Sequence, residues 1–110
     1  MAVVLMARFD VYRNTGPKAA TTPYLLDVQA DLLDGLETRV VIPLRKRDSF
    51  PVVKLPERLA PIVQVDGNDH LMETPKLAAV PRRALGEPVT TLIYERDRIT
   101  ASLDFLLRGY

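Results

Sequence analysis

Few side chains in this chain of 110 residues have the types and spacing that chemistry needs. The one histidine, His70, follows the run Asp66-Gly67-Asn68-Asp69. An imidazole acts as a general base when a carboxylate orients it, and Asp69 and Asp66 are near in sequence. The plainer reading is an exposed residue flanking a turn. Asp27, Asp31 and Asp34 form a second acidic set, but a calcium loop needs oxygens at alternate positions and a closing glutamate. Asp34 before Gly35 is more simply a turn former. Cations gather at Arg45-Lys46-Arg47, with Arg58 nearby, and at Arg82-Arg83. Each cluster fits a solvated loop, or contact with phosphate or an acidic peptide. The chain has no glycine-rich phosphate loop and no nucleophile elbow. With no cysteine, disulfides and cysteine-ligated metals are excluded, and a zinc site would need carboxylates beside His70.

The elements that must position these residues are short. Residues 3–12 alternate loosely, with Phe9 and Val11 on one face, which predicts a strand. Residues 14–23 hold a glycine, two prolines and three threonines, the composition of a loop. Residues 24–29 make a second strand, Asp34-Gly35 a turn, and residues 39–44 a third strand. That third strand is apolar enough to be buried. It nevertheless contains Pro43, which cannot donate to a ladder and belongs at strand edges, ends or bulges. Residues 45–48 read as a charged loop, and Pro51, Pro56 and Pro61 punctuate a stretch with no long element. Residues 62–65 and 70–73 flank a four-residue hairpin loop. Residues 75–79 form one helical turn before Val80-Pro81, and residues 84–91 a last strand interrupted near Pro88. From 94 to 107 there is no proline or glycine, and Ile99, Leu103, Leu106 and Leu107 recur at helical spacing. Glu95 near the start of this helix suits its dipole, while Ile93 leaves it no side-chain cap. Gly109 just past the helix is a normal C-cap, and Tyr110 is a candidate binding anchor.

An apolar fraction of 47% over 110 residues predicts one globular domain spanning 1–110. Fifteen basic against fourteen acidic residues leave a net charge near +1, no footprint for nucleic-acid binding by the domain alone. Residues 1–6, MAVVLM, are too short for a signal-peptide core and have no basic residue before them. They read as a strand extension or as sequence read through from an upstream start, with Met6 a plausible start of its own. No window approaches the roughly 18 apolar residues of a membrane helix, so a soluble, cytoplasmic protein is expected. Many short antiparallel strands followed by one helix predict a small barrel-like domain of the α+β class.

A series of motifs resembles the CcdB family, the toxin half of a bacterial toxin–antitoxin pair that poisons DNA gyrase. They are FDVY at 9–12, DVQADLLD at 27–34, VIPL at 41–44, APIV at 60–63, LAAVP at 77–81 and LGEPV at 85–89, then a terminal helix closing in Gly109. They keep the family's order over residues 8–110. The resemblance implies a mainly β, SH3-like antiparallel barrel with a small second sheet and one C-terminal helix, assembled as a symmetric homodimer. It implies a protein that does no chemistry, with no catalytic residue, metal or cofactor. Instead, paired helix ends enter the dimerisation region of the gyrase A subunit and block resealing of cut DNA. The gyrase-binding residues it carries over are Leu106, Leu107, Arg108, Gly109 and Tyr110. Gly109 matches the family's tail, whereas Arg108 and Tyr110 stand where that tail has tryptophan and isoleucine. Two further partners are implied. A CcdA-like antitoxin folds on binding and displaces the toxin from gyrase, and the toxin–antitoxin complex binds operator DNA and represses its operon. Asp27, Gln29 and Asp31 are then scaffold. Two alternatives are an endoribonuclease toxin of the MazF type on the same barrel, drawing on Thr38, Arg39 and Arg45–Arg47, and a degenerate dimer that binds antitoxin but not gyrase.

Overall fold

The computed structural model describes residues 7–33, 35–49 and 55–110. The start of the first predicted strand, the turn former Asp34, and Pro51 lie outside the described residues.

Among the described residues seven strands pair antiparallel in one sheet. They are β1 (Asp10–Asn14), β2 (Tyr24–Asp27), β3 (Thr38–Lys46), β4 (Ile62–Val65), β5 (Asn68–Met72), β6 (Ala78–Pro81) and β7 (Leu85–Thr91). Their spatial order is β4-β5-β3-β2-β1-β7, and β6 runs beside the first half of β3. One helix, α1 (Arg96–Arg108), follows. Val63 and Val65 of β4 share a core with Val11 of β1 and Ile99 of α1, so the sheet curls on itself as a half-barrel that the helix closes. This is the mainly β, SH3-like architecture. The small second sheet implied by the resemblance is continuous with the main one, because β5 and β6 both pair with β3.

Period-two alternation buries both faces of the central strands. Val11, Leu26, Ile42 and Leu44 enter the main core, while their neighbours Tyr12, Leu25 and Val41 pack with Leu85 in a second cluster. Pro43 sits where β3 passes from β6, its partner at Thr38 to Val41, to β5, its partner at Leu44 to Lys46. The Pro43 carbonyl accepts the Glu73 N–H at 3.0 Å. A residue's N–H and C=O point to the same side of an extended strand, so the missing donor faces the gap between two partner strands. The proline costs no ladder bond there.

Several local expectations change. The β4–β5 hairpin turns on two residues, not four, because Val65 pairs directly with Asn68. Asp66 and Gly67 have φ of 57° and 78°, the backbone of the mirror-image turn whose twist matches that of the strands. Arg45 and Lys46 belong to β3, paired with Leu71 and His70, rather than to a loop. The helical turn near Pro75 is a 3₁₀ turn, Thr74–Lys76, and the next residues form β6 instead of extending it. The last strand, β7, is continuous, but its register against β1 shifts on both sides of the Tyr12–Pro88 pair.

Along α1 the apolar stripe fades. Ile99 is fully buried and Leu103 packs at the edge of the core. Leu106 is half-buried and Leu107 exposed. Arg108 in the last turn and Asp97 in the first complement the helix dipole. Gly109 ends the helix at φ 82° and donates its N–H to the Phe105 carbonyl at 2.9 Å, a left-handed cap that any Cβ would strain. Among the described residues no helix is long and apolar enough to cross a membrane.

Candidate functional site

The end of α1 brings the five tail residues together on the surface. Leu106 is half-buried, while Leu107 and Tyr110 are 72% and 67% exposed. The Arg108 guanidinium lies 5.3 Å from the Tyr110 ring centroid, a cation–π contact across the Gly109 cap. Such a surface offers two large apolar groups and one cation to a partner.

The mouth of the half-barrel forms a second site. A pocket of about 440 Å³ is lined by Arg13, Tyr24, Lys46, Asp48, Asp69 and His70, with Pro23 and Asn68 completing its wall. Cross-strand pairing assembles it. Arg13 faces Tyr24, Tyr24 faces Leu44, and two residues beyond Leu44, Lys46 faces His70. Paired residues share a face of the sheet, so all four side chains point the same way. His70 is not the exposed turn residue that its sequence neighbours imply. It is 4% exposed, and its ring meets Tyr24 edge-on at 5.2 Å. His70 Nδ1 lies 2.9 Å from the Asn68 carbonyl. A carbonyl only accepts, so Nδ1 carries the proton and Nε2 of the neutral ring keeps its lone pair. Asp69 is already engaged by Arg47 at 2.7 Å and by the Gln64 amide at 3.2 Å. Asp66 lies in the hairpin turn and is not among the residues that line the pocket. The strand register that unites Arg13 and Lys46 with His70 has no signature in their spacing along the chain.

Other candidates are structural. Arg39 and Asp27 form a fully buried ion pair at 2.6 Å, reinforced by the Arg39 Nε–H donated to Asp27 at 2.8 Å. Burial pushes the Asp27 carboxyl above its ordinary value of 3.8, while the Gln29 N–H and the Arg39 guanidinium pull it down. The Gln29 side chain accepts the Val40 N–H and donates to the Leu33 carbonyl, and Asp31 accepts the Arg8 N–H. Arg39 therefore cannot serve an RNA site. Thr38 and Arg45, seven residues apart on β3, stand roughly 23 Å from one another at strand rise. The fold thus separates the groups named for an endoribonuclease. Among the described residues no three of His, Asp and Glu converge to hold a metal.

A curled antiparallel sheet closed by one C-terminal helix, with an exposed helix end and a charged mouth, defines a small SH3-like barrel protein. The chain belongs to the CcdB family: the model of the CcdB protein matches residues 8–109. It is accordingly a toxin of the toxin–antitoxin class, with an antitoxin as its partner. Two solved structures share the fold. One is an endoribonuclease in complex with its cognate antitoxin from a mycobacterial species, at TM-score 0.72 and 13% identity, covering 93% of this chain and 94% of that one. The other is an endoribonuclease from a mycobacterial species, at TM-score 0.70 and 14% identity, covering 97% and 95%. These neighbours overturn the expectation of a protein that does no chemistry, because the barrel they share with this chain is one on which enzymes are built.

Proposed function

We propose that this toxin docks on the A subunit of DNA gyrase through the end of α1. Leu107, Arg108, Gly109 and Tyr110 make the contact, Leu106 backs them, and a homodimer presents two such ends side by side. The observation that carries the reading is the exposure of Leu107 and Tyr110 at the helix end, two large apolar groups left uncovered by the fold. Arg108 adds a cation, so the matching patch of the target carries a carboxylate. Docking holds gyrase on cut DNA in the cytoplasm. A CcdA-like antitoxin removes the toxin, and their complex represses the operon by binding operator DNA. Calorimetric titration with a gyrase A fragment tests this. Tyr110→Ala or Leu107→Ser should weaken binding about 30-fold, the loss expected of an interface anchor. Equal binding by parent and variants would reject the helix end as the contact.

A second reading takes up the enzymatic class of the fold neighbours and rests on the mouth pocket, where Arg13 and Lys46 flank a buried His70. Cations beside a proton acceptor suit cleavage of single-stranded RNA. The pocket and the helix end use different residues, so variants separate the two activities. Incubating the purified chain with an unstructured RNA should yield fragments that tail variants still produce. Intact RNA after prolonged incubation would reject this reading.

A further inference from the structure

Resting on the RNA reading, we infer that the mouth pocket cleaves phosphodiesters, with His70 taking the proton of an RNA 2′-hydroxyl. Three observations meet there. First, the His70 ring is fixed on two sides, by the Asn68 carbonyl at Nδ1 and by the Tyr24 ring edge. Its Nε2 is the lone-pair nitrogen, the atom a general base needs, and the residue lines the cavity. Second, Lys46 is the cross-strand partner of His70, and Arg13 is that of Tyr24. Cβ atoms of such partners lie about 5 Å apart, so Lys46 stands beside His70 and Arg13 beside Tyr24, and both cations line the one pocket. Neither forms an ion pair among the described residues. Third, of the two carboxylates in the wall, Asp69 is held by Arg47 and Gln64. Asp48 remains to offset one of the two free cations. The balance suits a single phosphodiester, which carries one negative charge, rather than a long polyanionic track.

The reaction balances without a further reactant. The 2′ oxygen attacks phosphorus, forming the new P–O bond as the bond to the 5′ oxygen breaks. The 2′-hydroxyl proton goes to His70 Nε2, and the departing 5′ oxygen takes a proton from the Lys46 ammonium. Arg13 holds the non-bridging oxygens as charge builds on them. The products are a 2′,3′-cyclic phosphate and a 5′-hydroxyl. His70 returns its proton to Lys46 through water.

The test uses the full chain and an unstructured RNA oligonucleotide, with the products resolved by mass. His70→Ala should slow cleavage at least about a hundredfold, and imidazole added to the buffer should restore part of the rate. Lys46→Ala and Arg13→Ala alter exposed side chains and should each cost about tenfold or more with unchanged melting. Arg83→Ala, an exposed cation elsewhere, should leave the rate alone. An oligonucleotide lacking the 2′-hydroxyl should stay whole. Cleavage that survives His70→Ala, or products ending in a 3′-hydroxyl, would overturn the assignment and leave the RNA reading standing. A parent chain that cuts no RNA would overturn both.

Discussion

Arg39 and Asp27 face each other with no exposed side-chain surface, at 2.6 Å between ion-pair atoms. Arg39→Met removes the cation and leaves a carboxylate in the interior, with the Gln29 N–H as its remaining partner. Breaking one half of a buried pair destabilises by about 3–5 kcal/mol. Unfolding entropy of about 2.1 cal/mol/K per residue gives roughly 0.23 kcal/mol/K for a chain of 110 residues, so Tm should fall by about 13–22 °C. Asp27→Asn keeps an acceptor for Gln29 but removes the counter-charge of the buried guanidinium, and should also destabilise. The double variant retains no buried charge from the pair. Its loss should fall short of the sum of the single losses by about 2 kcal/mol or more. Urea unfolding followed by circular dichroism measures all four corners of the cycle, provided the slope with denaturant stays constant. Additive losses, or an Arg39→Met loss under about 1 kcal/mol, would refute the reasoning.

Asp27 also predicts a pH dependence. Its folded pKa lies above 3.8, so on acidification the folded chain takes up this proton before the unfolded chain does. The stability it contributes is full below the unfolded value and is lost as pH rises through the folded one. The parent should therefore lose unfolding free energy relative to Asp27→Asn as pH climbs from about 3 toward neutral; the opposite slope would show that Arg39 outweighs burial. Gly86→Ala would place a Cβ 3.0 Å from the Arg13 carbonyl and 3.1 Å from Thr15 Cγ2, forcing β1 and β7 apart. Thermal melting should register about 1–3 kcal/mol of destabilisation, and an unchanged Tm would count against this packing. A Cβ at Gly109 meets nothing within 4 Å, but Gly109→Val must hold φ at +82°. About 1–2 kcal/mol of local strain should fray the last turn, weakening gyrase binding while the Tm barely moves; unchanged binding would detach the cap from the docking surface.

The sequence carried most of the fold because its signals are local. Loose alternation marked β1, an apolar run marked β3, and the proline-free amphipathic stretch marked α1. Pro43 pointed to a strand edge, end or bulge, whereas it lies within β3, where the neighbouring strand changes from β6 to β5. The two-residue hairpin was hidden because Asn68 and Asp69 have turn-like composition yet pair in β5. β6 was hidden because Ala78 to Pro81 alternate weakly and make a strand only by pairing with β3. The helix end was legible from the stripe and Gly109. The mouth pocket was not, since Arg13, Lys46 and His70 meet only through the register of four strands, and a buried histidine looks like an exposed one beside a turn.

The most direct test of the docking claim is a cleavage-complex assay with the host's gyrase and supercoiled plasmid. Denaturing the mixture after incubation releases any trapped break as linear DNA. Linear DNA should rise with toxin, be lost in Tyr110→Ala and Leu107→Ser, and be unaffected by His70→Ala. Plasmid that stays circular at all toxin concentrations, or breaks that persist when both helix-end residues are changed, would contradict that claim.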